Sequence, residues 1–392
     1  KYAARQVDND HFNSFTSEMR LLQQYFIGKM AASLVAGAQV FDNDLHRTQL
    51  GKGSTGTDFD MEITGDWGRD LHFKSKNLAV FAENKFDFTP KWSVTAGLRF
   101  ETGASKMSGR VSYLEPAEIP NKIDHRFPLF GASTAYRISE VQQFYAGFSQ
   151  AYRPVIFKDI IPANANERSD KDLKDAFGYN LEAGYRGSFA GFRWDLGVFR
   201  LQYNNRLGSL SVNENGNFYL FRTNIGDSRT QGVEAFLEKN FRFGRGFRVN
   251  IFTSTAYFDA EYVDAQVKSG IENKDIDGNR VESVPRWISR DGITLKYQKW
   301  AFSTLFSYTA KTFADALNTE KPSANGSVGL VPAYGLWDMN LSCRILPNVT
   351  ARLSASNVAD KQYFTKRPSF YPGPGVWSSD GRSVNLSFSV KI

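Results

Sequence analysis

Apolar and polar residues alternate with a period of two along most of the chain. The last ten residues, SVNLSFSVKI, put five apolar side chains on one side of an extended backbone: Val384, Leu386, Phe388, Val390 and Ile392. The same alternation recurs in KWSVTAGLRF (91–100), LWDMNLSCRI (336–345) and NVTARLSAS (348–356). A period of two is typical of β-strands, and a helical period of 3.6 is hard to find over a comparable length. The sequence therefore predicts an all-β protein.

The connections between the alternating segments are short and long in turn. Short connections fall at 26–29, 88–91, 138–141, 188–191, 243–246, 297–300 and 346–348. Longer polar stretches lie near 46–70, 103–122, 154–177, 211–217, 260–286, 314–331 and 357–381. Short turns at one end and long loops at the other are typical of an up-and-down antiparallel sheet with two different rims. About 15 strands are predicted, near 12–25, 30–45, 71–87, 91–102, 123–137, 142–153, 178–187, 192–210, 218–241, 247–259, 287–297, 300–313, 332–345, 349–356 and 383–392.

A soluble sandwich would alternate as well, so the two faces have to be compared. Here the polar face is rich in Gly, Ser, Asn and Arg, and aromatic residues of the apolar face stand beside short turns: Trp92, Phe192, Phe247, Trp300 and Phe302. Such positions suit the aromatic girdle of a membrane interface. No window approaches 18 uninterrupted apolar residues, and the mean hydropathy is −0.41, which excludes membrane helices but not membrane strands. The pattern favours a transmembrane antiparallel β-barrel over a sandwich.

Composition adds few chemical signals. The single cysteine, Cys343, excludes an internal disulfide, and the four histidines lack metal-ligand spacing. The net charge of +7 fits a solvated mixed-charge surface or anionic partners. We find no Ser–His arrangement and no phosphate-binding glycine loop. We therefore expect no enzyme, no cofactor, no metal site and no nucleic-acid partner.

The strand count predicts how the chain relates to a closed barrel. Bacterial barrels usually have an even number of strands with both termini at the short-turn, periplasmic side. Counting back from a descending last strand, the first predicted strand also descends, so the count is odd. Either the count is off by one, or residues 1–392 are the C-terminal portion of a larger barrel. The absence of a signal segment and of an initiator Met favours the second interpretation.

Residues 147–187, 191–238 and 354–392 form three stretches that resemble the TonB-dependent outer-membrane receptors. GFSQAYRPVIFKDI (147–160) with DLKDAFGYNLEAGYRG (172–187) is similar to the family's Arg-Pro strand end and its following Tyr-Asn-x-Glu-x-Gly strand. GFRWDLGVFRLQYNNRLG (191–208) with FRTNIGDSRTQGVEAFLE (221–238) resembles the paired strands that end in Arg-x-x-Gly-Val-Glu. SASNVADKQYF (354–364) and the last strand resemble the end of the family's barrel. The loop at 364–383 resembles that of the ferric-citrate receptor group.

The resemblance implies a 22-stranded barrel in the bacterial outer membrane, filled by an N-terminal plug. This chain would supply the eighth to the last strand, so the plug, the TonB-contacting segment and about seven strands would be absent from it. The resemblance further implies three kinds of partner: a ferric chelate, TonB with ExbB–ExbD through the N-terminal region, and outer-membrane lipid with lipopolysaccharide.

Ligand capture is expected from cationic side chains that face inward near the outer rim. Ferric chelates are anionic, and arginine offers planar bidentate bonds to carboxylates. Extending the alternation upward gives Arg47, Arg153, Arg222, Arg290 and Lys311 as candidates. The loop at 364–383 adds Lys366, Arg367 and Tyr371, with Tyr363, Phe370 and Trp377 beside them. For each residue alone, the alternative is a cation that balances lumen carboxylates or binds lipopolysaccharide phosphates.

The predicted function is TonB-dependent import of a ferric chelate, a siderophore or ferric citrate. Two alternatives stay open: a passive porin-like diffusion channel, and TonB-dependent uptake of haem, cobalamin or glycans.

Overall fold

The computed structural model describes residues 3–57, 59–119, 122–162, 164, 166–214, 217–244, 246–368 and 374–391. In chain order its first strands are β1 (Gln6–Ile27), β2 (Met30–Lys52), β3 (Arg69–Asp87), β4 (Trp92–Val111), β5 (Lys122–Ser139), β6 (Gln142–Arg153), β7 (Glu167–Ser169), β8 (Ala176–Phe189), β9 (Phe192–Glu214), β10 (Asn217–Phe243) and β11 (Phe247–Val263). The later strands are β12 (Gln266–Ser269), β13 (Glu272–Asp275), β14 (Trp287–Tyr297), β15 (Trp300–Thr309), β16 (Thr312–Phe313), β17 (Leu330–Val331), β18 (Tyr334–Leu346), β19 (Val349–Ser356), β20 (Phe364–Lys366), β21 (Trp377–Ser378) and β22 (Ser383–Val390). A short helix, α1 (Phe157–Ile160), and a 3₁₀ turn (Pro116–Glu118) lie in loops, and in the described ranges no helix has the length and apolarity to cross a membrane.

In the described part of the chain, fifteen strands form one antiparallel sheet in which each strand pairs with the next of the fifteen. The order is β1-β2-β3-β4-β5-β6-β8-β9-β10-β11-β14-β15-β18-β19-β22, and β7 adds a short parallel pairing to β10. This is the predicted up-and-down topology, and the number of strands in the described part of the wall agrees with the prediction. Three two-stranded hairpins, β12-β13, β16-β17 and β20-β21, stand in the long loops.

The predicted short turns are confirmed where the structure describes them, but several predicted loop boundaries are wrong. β2 continues to Lys52 and β4 to Val111, so residues predicted to lie in loops extend the ladder instead. Backbone pairing needs no apolar side chain, and polar residues above a lipid belt can continue a strand. Conversely, β15 ends at Thr309, four residues before its predicted end.

The register separates the sheet into an apolar and a polar face, since directly paired residues share a face. Arg99 pairs with Phe81, and Glu238 pairs with Arg193, both on the polar face. On the opposite face, the apolar side chains of β22 are 61–65% exposed: Val384, Leu386, Phe388 and Val390. Such exposure along a whole face suits contact with lipid. The polar face is therefore the lumen side.

Two small hydrophobic cores lie at the end of the sheet that carries the long loops, here called the long-loop end. The first joins Leu71, Phe73, Met107 and Val111 of β3 and β4 to Phe157 of α1. The second is built from Ala260, Tyr262, Ala265, Ile276 and Val281. Their burial gives the loops a fixed structure that positions the polar residues described next.

Candidate ligand-binding site at the long-loop end

Arg153 and Arg222, which are 69 residues apart, both contact α1: Arg153 binds the Asp159 carboxylate, and Arg222 binds backbone carbonyl groups. The Arg153 Nη2 atom donates to both oxygens of Asp159, at 2.9 and 3.0 Å. Arg222 donates through Nη1 to the Lys158 carbonyl at 2.8 Å, and its Nη2 lies 2.5 Å from Glu167. Asp159 stands on α1, which is fixed by the packing of Phe157 into the first core. Two carboxylates therefore balance two predicted candidates, so their charges are largely satisfied within the protein.

Arg47 is also engaged by a carboxylate. Its Nε and Nη2 atoms donate to the two oxygens of Asp10, at 2.8 and 2.7 Å. The two residues are directly paired between β1 and β2, so the strand register brings the guanidinium to the carboxylate. A bidentate pair of this kind fixes both side chains, and a ligand carboxylate would have to displace Asp10 to bind there.

The candidates of the last long loop hold loops together. Arg367 donates to the carbonyl oxygens of Leu330 and Gly326, both at 3.0 Å, and its guanidinium lies 4.8 Å from the Phe364 ring centre. The Lys366 ammonium lies 5.9 Å from the Trp377 ring centre. Arg367 thus bridges two long loops. Tyr371 and Phe370 lie outside the described residues. The ring centre of Tyr363 lies 4.7 Å from that of Tyr334.

Arg290 and Lys311 have no ion pair within the described part of the chain. Arg290 is exposed on the polar face of β14, beside an open cavity of about 400 Å³ that Tyr145, Asp195 and Glu234 also line. Lys311 is exposed two residues beyond the end of β15, where strand alternation no longer places its side chain. The predicted strand 300–313 is too long at this end, because the apolar pattern of the sequence runs past the last ladder pairing.

Sequence reasoning missed two further arginines that precede Arg290 in the chain. Arg286 immediately precedes β14 and is exposed. Half-buried Arg280 lies near it: burial lowers the pKa of the Arg280 guanidinium, and the positive charge of Arg286 lowers it further. The effect of Arg286 on Arg280 shows that the two positive charges interact, and neighbouring like charges create a positive potential that favours an anion. We call Arg280, Arg286 and Arg290 the long-loop cationic cluster. The stretch NRVESVPRWISR (279–290), with three arginines at the start of a strand, is the signal that could have identified it.

The structure thus brings together two of the predicted candidates, Arg153 and Arg222, and distributes the others around the long-loop end. Within the described ranges, no group of three or more His, Cys, Asp or Glu side chains could hold a metal ion. The cations can offer hydrogen bonds and positive charge to an anion, which is binding chemistry rather than covalent catalysis.

Comparison with known proteins places this geometry in a family. The chain is 23% identical over 333 residues to a probable TonB-dependent siderophore receptor, PiuA, of Acinetobacter baumannii, covering 81% of this chain and 40% of the relative. It is 21% identical over 237 residues to the vitamin B12 transporter BtuB of Vibrio vulnificus, covering 59% and 32%. The chain thus spans less than half the length of these curated relatives.

The fold agrees with that of solved receptor structures. The unliganded ferric citrate transporter FecA superposes with a TM-score of 0.77 at 21% identity, covering 98% of this chain and 55% of that one. The family model described as TonB dependent receptor-like, beta-barrel, matches residues 2–358, which is most of the chain. The chain therefore belongs to the TonB-dependent receptor family, and its sheet is barrel wall of the bacterial outer membrane.

Proposed function

We propose that the complete receptor carrying these residues imports a ferric chelate, with ferric citrate or another carboxylate-rich chelate favoured. In this proposal an N-terminal plug fills the lumen, the long loops close over the bound chelate, and TonB with ExbB–ExbD supplies the energy that displaces the plug. The similarity to siderophore and ferric citrate receptors supports the substrate class.

The observation that carries the proposal is the long-loop cationic cluster. Arg286 and Arg290 are exposed at the outer end of the wall, and no ion pair engages either of them among the described residues. Burial and the charge of Arg286 lower the pKa of neighbouring Arg280, although Asp259 opposes this effect, and Arg280 also has no ion pair among the described residues. An anionic, carboxylate-rich ligand would supply the missing negative charge and accept hydrogen bonds from the guanidinium groups.

Charge reversal in the cluster tests the proposed site. In the complete receptor, Arg286→Glu combined with Arg290→Glu should weaken the binding of ⁵⁵Fe-citrate to whole cells. Each lost charge-assisted hydrogen bond is worth about 1.5–3 kcal/mol, so we expect the affinity to fall about tenfold or more. Equilibrium binding at 4 °C measures affinity without transport.

The matched control is Lys76→Glu, which reverses a cation on the opposite, apolar face of β3. Lys76 pairs with Asp42 at 3.3 Å and should leave affinity unchanged. Equal affinities for the wild type and the double variant would remove the site assignment. A wild-type receptor with no affinity for any ferric chelate would remove the substrate class.

Cobalamin uptake is the second candidate, favoured by the similarity to BtuB. The cationic cluster weighs against it, since cobalamin presents amide groups rather than carboxylates. A direct comparison of ligands decides between the two.

A further inference from the structure

Three cations stand in a row on the polar face at the short-turn end, far from the long-loop cationic cluster. Arg242 of β10 is directly paired with Arg248 of β11, and Arg248 is directly paired with Lys296 of β14. We call Arg242, Arg248 and Lys296 the short-turn cationic row. Directly paired residues have Cα atoms only about 4.5–5.5 Å apart. Like charges in such positions destabilise a sheet unless something of opposite charge lies between them.

The protein supplies little negative charge to this row. All three side chains are exposed, and no ion pair engages them in the described part of the chain. Glu238 lines the same cavity as the row but is already engaged: it lies 2.7 Å from Arg193 Nη2 and accepts a hydrogen bond of 2.6 Å from Asn250. The row is therefore a group of three cationic side chains that no carboxylate pairs with in the described residues.

The row borders an open cavity of about 840 Å³ that also offers neutral hydrogen-bonding groups. Its lining includes Asn240, Asn250 and Thr294. Each lies two residues further from the short turns than the cation on its own strand. These residues are directly paired across the same strands, so amides, a hydroxyl and cations share one face. Asn250 already donates to Glu238 and Asn240, at 2.6 and 3.0 Å, and the Thr294 hydroxyl lies 3.0 Å from that of Ser303. Among these described groups, the cations and the amide N–H of Asn240 are left to bind a small anion. Because the row lies on the face opposite to the lipid-exposed one, the geometry favours an anion in the lumen over a lipid headgroup.

We infer that the short-turn cationic row is a carboxylate-binding site at the periplasmic end of the lumen. Short turns lie on the periplasmic side of outer-membrane barrels. Two arginines and a lysine, with amides beside them, suit a ligand that carries several carboxylates, such as a tricarboxylate chelator. The inference rests on the proposed function for its cargo: the site receives the carboxylates of the imported chelate as it leaves the barrel. Carboxylates of the receptor's own N-terminal region are the other source of the same chemistry.

Arginine modification with phenylglyoxal tests the site without transport. The purified complete receptor is labelled with and without citrate, and modification of Arg242 and Arg248 is quantified by peptide mass spectrometry. At citrate tenfold above its dissociation constant, the labelling rate of both arginines should fall about tenfold by mass action. Lys296→Gln, which removes the third cation from an exposed position, should reduce this protection while Arg242 and Arg248 stay in place. Glycerol replaces citrate as the uncharged control.

Arg137 is the matched control residue. It is exposed, next to another short turn at the end of β5, and its paired neighbour is the neutral Gln143. Its labelling should not respond to citrate. Citrate-dependent protection of the row assigns the carboxylates to the cargo. The alternative outcome is protection of the row without citrate that is lost when the region N-terminal to the barrel is deleted. In that case the row still binds carboxylates, but they belong to the receptor's own N-terminal region.

The inference would be overturned if the labelling rates of Arg242 and Arg248 equalled that of Arg137 both with and without citrate. The proposed function is tested separately by uptake of ⁵⁵Fe-citrate by the wild type. If the wild type does not take up ⁵⁵Fe-citrate, ferric citrate is not the cargo, but the labelling result is unaffected. The two failures are therefore distinguishable.

Discussion

At the scale of single residues, Asp159 connects three parts of the long-loop end. Its carboxylate accepts hydrogen bonds from Arg153 and from the Ile156 backbone, and its carbonyl lies near Arg222. Its side chain is only 13% exposed, so its partners are partly shielded from water and from salt. Asp159 therefore holds the segment after β6 against the wall.

Replacement of this carboxylate should loosen the segment. Asp159→Asn keeps the size of the side chain but removes the charge, and the lost charge-assisted hydrogen bonds are worth about 1–3 kcal/mol. We expect faster tryptic cleavage after Lys158, measured by limited proteolysis of the folded receptor. The control Asp172→Asn changes an exposed carboxylate that no ion pair engages in the described residues, and it should leave the rate unchanged. Equal rates in all three proteins would contradict the role of Asp159.

Within regular strands, alternation predicts which residues share the polar face but not which of them are already paired. Arg153 and Arg290 both lie on the polar face, as predicted, yet Asp159 engages only Arg153. The difference depends on where a loop folds back, and no periodic pattern encodes that. Glu167, the acidic partner of Arg222, lies 55 residues away in sequence, and Asp10, the partner of Arg47, lies 37 residues away. Whether a predicted cation is free for a ligand therefore needed the structure.

At the scale of elements, the strands were predictable in number and order because a lipid-facing strand must show apolar residues at every second position. Their upper ends were not predictable, since above the lipid belt the ladder continues with polar residues on both faces. β10 shows a second reason: its register with β9 shifts on both sides of Gly226. A bulge of this kind changes which residues face the lumen, and it leaves little trace in the sequence.

Gly226 should be intolerant of a side chain. Its φ is +133°, and an added Cβ would lie 2.5 Å from Ala265 Cα, in the second core. Gly226→Ala should destabilise the folded receptor by about 1–3 kcal/mol through overpacking and backbone strain. The measurement is the temperature at which the folded band disappears on an unboiled electrophoresis gel. In the control Gly131→Ala, the nearest atom to the new Cβ is the Phe148 carbonyl oxygen at 3.7 Å. An unshifted transition in Gly226→Ala would contradict the account of the bulge.

At the scale of the whole molecule, the wall is an amphipathic sheet whose two ends have different tasks. The long-loop end holds two small cores and a cationic cluster, whereas the short-turn end holds tight turns and a cationic row. Strong cross-strand pairing makes the wall rigid, and only the loops can rearrange around a ligand. This arrangement suits capture at the outer end and release at the inner one.

The ligand itself is the central claim, and direct binding tests it. The purified complete receptor is dialysed to equilibrium against ⁵⁵Fe-citrate, haemin or cyanocobalamin. The controls are the iron-free chelator and an unrelated protein. We expect saturable binding of the ferric chelate that unlabelled chelate competes away, and no binding of the other two ligands. Saturable binding of cobalamin or haem, with no binding of any ferric chelate, would contradict the proposed ligand. So would the absence of any saturable ligand together with bulk ion conductance, which is the behaviour of a passive channel.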